Sequence, residues 1–127
     1  EQNLYIPYNL CLKMKDLGFD WTTFNCYWER VKGTGGFGTK HEKIPKILYD
    51  QAFAWFREKG FECVIESYYD IFISKRSGYL YYIEVIENDM RAFTYNDDNC
   101  FDTYEETRLD ALNNLIELYE EENSEEL

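Results

Sequence analysis

The sequence predicts a single α+β domain over residues 1–120. It consists of a three- to four-stranded antiparallel meander sheet packed against two longer helices, with an extra short N-terminal helix. Three observations carry that prediction. Apolar stripes at helical spacing stand beside helix start and stop signals near residues 10–19, 45–60 and 103–119. Between Phe61 and Tyr95 the period changes to short β-branched and aromatic runs separated by turn formers. The chain of 127 residues is 45% apolar and 19% aromatic, which suffices for one core and excludes a disordered chain.

The first helix is short. Leu10, Met14 and Leu17 fall on one face, with Lys13, Lys15 and Asp16 turned to water. Gly18 suits the left-handed position after the last turn, and Phe19 can fold back on the helix end. From about Phe24 to Val31 the β-branched and aromatic content favours an extended piece, although alternation is only partial. After the glycine stretch Gly33–Lys40 comes a second helix. Pro45 is placed in its first turn, Tyr49, Ala52, Phe53 and Phe56 form its stripe, Leu48 and Trp55 widen it, and Gly60 stops it.

The runs FECVIES, DIFISKR and GYLYYIEVI then read as strands, with turns expected at Ser77-Gly78 and Asn88-Asp89 before RAFTY. Val64, Ile71, Ile73 and Ile83 are the expected core contacts of this sheet. Thr103 caps the last helix, and Glu106 three residues on completes a capping box. Ala111, Leu112, Leu115, Leu118 and Tyr119 supply its apolar face. Glu120, Glu121 and Glu122 carry the wrong sign for a helix C-terminus, so the helix is expected to fray there and residues 121–127 to form an acidic mobile tail.

Net charge is -12 and unevenly spread, because residues 102–127 hold one base, Arg108, against ten acids. Such a field repels phosphates, so direct nucleic-acid binding is disfavoured and a protein partner, basic in character, is favoured. No run approaches the roughly 18 apolar residues of a membrane span, and no secretory leader is visible. The reading is therefore cytoplasmic. Cys11, Cys26, Cys63 and Cys100 lack any C-x-x-C spacing and are expected as reduced, mostly buried thiols. His41 has no nearby Cys or His, so neither a metal nor another cofactor is called for.

The stretch GTGGFGTK is the segment closest to a known site. GTGGFG formally fits G-x-G-x-x-G, in which glycines let backbone amides approach a pyrophosphate at the start of a helix. The fingerprint also requires a strand before it and a helix opening within it, and the next helix signal is too far away. A P-loop order is broken because Thr39 separates Gly38 from Lys40. The segment therefore reads as a glycine-rich loop amid Lys32, Lys40, His41, Lys43 and Lys46. A small-ligand or nucleotide site made of Gly33, Gly35, Gly36, Gly38, Lys40 and His41 is the alternative. His41 has no nucleophile placed beside it by pattern, so no catalytic residue is assigned. On the last helix Asp110, Glu117, Glu120 and Glu121 lie mostly away from the Leu112–Leu115 face, an acidic stripe able to meet a basic protein surface.

Three blocks carry a resemblance: Leu12–Phe19 (LKMKDLGF), Tyr49–Lys59 (YDQAFAWFREK) and Phe101–Leu112 (FDTYEETRLDAL). Together they resemble a group of small proteins from gut Bacteroidota and their phages that share LKELGF, WFREK and F-x-T-Y-E-E-A segments. Thr107 stands where that pattern often has alanine. The group has no established activity, so it implies no catalytic residues. Its phage or mobile-element setting implies a host-directed inhibitor as one role. The order helix, three strands, helix also resembles the double-stranded RNA-binding domain in outline. That family reads phosphate with basic residues at the start of its last helix, where this chain has Glu105 and Glu106. The expectation is a small protein-interaction module, more a binder than an enzyme, with a homodimer through exposed Tyr or Phe compatible with the composition. Its alternatives are a ligand-binding protein or enzyme using Gly33–Lys40, and a structural accessory protein.

Overall fold

The computed structural model describes residues 4–32, 39–70, 75–96 and 100–125. In order the elements are α1 (Tyr8–Leu17), β1 (Asn25–Lys32), β2 (Thr39–Lys46), α2 (Tyr49–Glu58), β3 (Phe61–Asp70), β4 (Lys75–Glu87), β5 (Met90–Asn96) and α3 (Tyr104–Glu125). The fold is α+β, as predicted, with an antiparallel meander β3-β4-β5 and a separate two-stranded ribbon β1-β2. Two compact units, Glu1–Ala52 and Phe53–Leu127, divide the chain, and the boundary falls inside α2.

In the first unit α1 buries Leu10, Cys11 and Met14. Gly18, at φ 107°, ends it in the left-handed conformation. The Gly18 N–H donates to the Lys15 carbonyl at 3.1 Å and the Phe19 N–H to the Met14 carbonyl at 2.9 Å. These two bonds satisfy carbonyls left open by the last turn, while Phe19 folds back and is buried, as the sequence predicts. Strands β1 and β2 pair antiparallel from Asn25–Lys46 to Lys32–Thr39. The extended piece expected from Phe24 is thus half of a hairpin, and Pro45 belongs to β2 opposite Cys26 rather than to the first turn of α2. Each strand of a two-stranded ribbon has one unpaired edge, where proline is tolerated.

The helix cannot begin earlier because its approach is already committed to extended backbone. The Ile6 N–H donates to the Ile47 carbonyl at 2.9 Å and the Tyr49 N–H to the Leu4 carbonyl at 3.0 Å. α2 is consequently no longer than α1, at 10 residues each, which corrects the expectation of two longer helices. Its start is secured by Gln51, whose Oε1 accepts the Leu48 N–H at 3.1 Å.

In the second unit β4 runs antiparallel between β3 and β5. Asn88 and Asp89, at φ 52° and 62°, make the predicted two-residue turn between β4 and β5. Ser77-Gly78 is not a turn, because β4 continues through it. The register shifts between Tyr68 and Tyr69, so that Tyr68 faces Gly78 and Tyr69 faces Arg76, with Ser77 as the extra residue of a bulge. Ile71 and Ile73 lie outside the described residues. Val64 is only half-buried, since it pairs with Tyr82, whereas Cys63 pairs with the buried Ile83 and belongs to the core-facing set with Phe61, Tyr81 and Val85. Strand alternation therefore gives Cys63 the position expected for Val64.

α3 lies on this sheet with Ala111, Leu112, Leu115 and Ile116 buried. Tyr119 meets the rings of Trp55, Phe56 and Phe61 edge-on at 5.3, 6.0 and 5.9 Å. That clamp sits beside the acidic run, and the helix continues through Glu120–Glu122 to Glu125. At the other end the Thr103 hydroxyl accepts the Glu106 N–H at 3.1 Å. Thr107, fully buried, donates its hydroxyl to the Thr103 carbonyl at 2.8 Å, so this buried hydroxyl has a partner. Thr103→Ala removes the cap and is expected to cost about 1 kcal/mol. A chemical denaturation midpoint that does not move would contradict this.

Candidate functional site

Of the expected glycine site, only Lys40 and His41 fall among the described residues. Gly33, Gly35, Gly36 and Gly38 lie outside the described residues, while Lys40 and His41 stand on β2 opposite Val31 and Arg30. β2, an antiparallel strand, is the next element after the glycines, so no helix N-terminus follows them as a dinucleotide cradle requires. His41 is exposed. Among the described residues no three His, Cys, Asp or Glu side chains gather where a metal ion could be held. Nor is any described helix long and apolar enough to cross a membrane.

The acidic stripe of α3 divides. Glu117, Glu120 and Glu121 are exposed. Asp110 is half-buried and accepts a hydrogen bond from the Tyr81 hydroxyl at 2.7 Å and one from Asn114 Nδ2 at 3.3 Å. Asn114 Nδ2 also donates to the Tyr81 oxygen. Asp110 thus ties α3 to β4, and its place on the stripe reflects packing.

The four thiols are free. Cys11 is buried and Cys26 and Cys63 half-buried, but Cys100 is exposed, against the expectation for a mostly buried set. Burial pushes the Cys63 thiol up to about 12. Burial also raises Cys11, opposed by a backbone hydrogen bond at Ile47 and by the charge of Lys46. Cys100 is expected to react with a maleimide well before Cys63 in the folded protein. An unfolded thiol titrates near 8.5, so between roughly pH 9 and pH 12 the folded state holds a proton at Cys63 that the unfolded state has lost. Stability should fall as pH rises through that window, and Cys63→Ser should flatten the fall. A profile with the same slope in both proteins would contradict it.

The β1-β2 hairpin carries the more informative arrangement. Strand alternation divides its positions into two sets. One set, Asn25, Tyr27, Glu29 and Val31 with Lys46, Ile44, Glu42 and Lys40, includes the residues that meet the N-terminal segment and α1. Tyr27 packs edge-on against Tyr8 at 4.9 Å, Lys15 forms an ion pair with Glu42, and Lys46 Nζ sits 4.6 Å from the Tyr5 ring centroid. Ile44 is buried there.

The other set pairs Cys26 with Pro45, Trp28 with Lys43, Arg30 with His41 and Lys32 with Thr39. Both carboxylates of the hairpin fall in the first set, and the second holds three permanent cations and no acid. At its centre Trp28 is 65% exposed and, just before β1, Phe24 is 85% exposed. Beside Lys43 and Pro45 a groove of about 320 Å³ opens against Phe19, Trp21 and Thr22, with Lys15 and Asp20 as its other charged walls. The Phe19 and Trp21 rings lie 5.9 Å apart.

Trp28 was visible in the sequence as part of an extended run, and Lys43 as one of the cations near the glycines. Their pairing depends on a register that begins on one side of the glycine segment and ends on the other, which no local pattern reveals. Comparison of the chain with family models, with curated proteins and with solved structures gives no match.

Proposed function

We propose that the chain is a cytoplasmic, non-enzymatic protein-interaction module that meets its partner through the outer row of the β1-β2 hairpin. One observation carries this reading: Trp28 stands 65% exposed at the middle of a row whose permanently charged members are all cationic. An exposed tryptophan removes a large apolar area from water when a partner covers it, and tryptophan is enriched among the residues that dominate interface energetics. Four free thiols agree with a reducing compartment.

A second reading is an inhibitor, in the manner implied by the phage resemblance, whose acidic α3 face covers a basic protein surface. Glu117, Glu120 and Glu121, exposed beyond the buried side of α3, favour it. A homodimer is one further form that an aromatic contact could take.

Photo-crosslinking separates these readings. Benzoylphenylalanine at position 28 is expected to give one dominant protein adduct in cell extract, and the same group at the exposed position 62 of β3 none. Equal adducts at both positions, or an adduct at 28 lost only when Glu117, Glu120 and Glu121 are neutralised, would overturn the hairpin reading.

A further inference from the structure

We infer that the groove between the Phe19–Thr23 segment and β2, together with Trp28, binds an acidic peptide segment bearing one aromatic or large apolar side chain. This rests on the reading of the chain as an interaction module and names the chemistry of its partner.

At about 320 Å³ the groove is at the small end of ligand pockets, which run from roughly 300 to 1,000 Å³, so it takes a single side chain more readily than a cofactor. Its walls suit a ring, since Phe19 and Trp21 provide an aromatic side and Pro45 an apolar floor. Lys43 stands at the junction, lining the groove and pairing across the ribbon with Trp28. Groove and exposed tryptophan therefore form one continuous surface.

Charge gives the partner's sign. The Trp28 row carries Arg30, Lys32 and Lys43 and no carboxylate. One acid, Asp20, lines the groove together with Lys15 and Lys43, and Glu42 is engaged by Lys15, so the bases of groove and row still outnumber the acids. A segment with a few carboxylates around an apolar anchor would have each of its features matched.

A single-stranded nucleic acid also pairs aromatic rings with cations. It carries a charge at every nucleotide, however, and residues 53–127 hold six Lys/Arg against nineteen Asp/Glu, a balance of -13. The long-range field of that half disfavours a polyanion much more than a peptide with a few carboxylates.

The test is an NMR titration followed at the indole N–H resonances, with a short synthetic glutamate-rich peptide containing one central phenylalanine as the probe. Trp21 and Trp28 are expected to shift and saturate, while Trp55, which is buried, reports no change. Lys43→Glu should weaken binding about tenfold, and Trp28→Ala or replacement of the peptide's phenylalanine by alanine by a similar factor. Neither Lys43 nor Trp28 is buried, so both variants should stay folded, as an unchanged Trp55 resonance would verify.

Absence of saturable shifts, equal affinity in Lys43→Glu, or tighter binding of an oligothymidylate of matched length would each overturn the inference. So would self-association of the unliganded chain that Lys43→Glu abolishes, because the occupant would then be a second copy. A protein adduct at position 28 without peptide binding would leave the module reading standing and remove this one alone.

Discussion

Gly78→Ala is expected to destabilise the second unit by roughly 3 kcal/mol or more. A Cβ at this position would lie 2.5 Å from the Phe101 carbonyl oxygen and 2.7 Å from the Cys100 sulfur. The oxygen cannot retreat cheaply. The Tyr79 N–H donates to it at 2.8 Å, and the Phe101 N–H returns a bond to the Tyr79 carbonyl at 2.8 Å. These paired bonds draw the segment before α3 against β4 and need a residue with no side chain beside them. φ at Gly78 is +152°, which side chains rarely adopt, so backbone strain adds to the collision. Gly18→Ala serves as the control. It also has positive φ, but a Cβ there meets nothing within 4 Å, so only strain of about 1 kcal/mol is expected. Urea denaturation compares the two, and a Gly78→Ala midpoint no lower than that of Gly18→Ala would contradict the account.

Tyr81→Ala is expected to cost about 4 kcal/mol, the usual scale for deleting a buried aromatic ring from a core. Tyr81 is 1% exposed, stacks with Phe101 at 6.4 Å and donates its hydroxyl to Asp110. Tyr81→Phe separates the two contributions by keeping the ring and removing the hydroxyl. Its expected cost is about 1–2 kcal/mol, because a half-buried carboxylate loses a charge-assisted donor and Asn114 loses one of its acceptors. A double-mutant cycle with Asp110→Ala should show coupling between the two positions. Additive losses would mean that the hydrogen bond does not help to hold α3 on the sheet.

Much of the fold was legible because its signals are local. Thr103 and Glu106 marked the start of α3, Gly18 and Phe19 the end of α1, and Asn88-Asp89 a tight hairpin, each by chemistry confined to a few residues. The misreadings came where a distant partner decides. Pro45 resembles a helix start until Leu4–Ile6 claims the backbone of Ile47–Tyr49. Ser77-Gly78 resembles a turn until Phe101 approaches β4. Val64 and Cys63 exchange roles through a one-residue difference in alternation.

The candidate site was the least legible part. Trp28 and Lys43 become neighbours only through the register of β1 on β2. Asp110 looked equivalent to Glu117 and Glu121 on the helix, yet its surroundings on β4 make it a packing residue.

The central claim is that the outer row of the hairpin is the working surface, and affinity capture with wild type and Trp28→Ala tests it most directly. Trp28 is exposed, so its removal should leave stability within about 0.5 kcal/mol of wild type. The account predicts one enriched protein with wild type that Trp28→Ala fails to hold despite an unchanged melting temperature. Retention of that protein by Trp28→Ala, with loss only when Glu117, Glu120 and Glu121 are neutralised, would contradict it and move the working surface to α3.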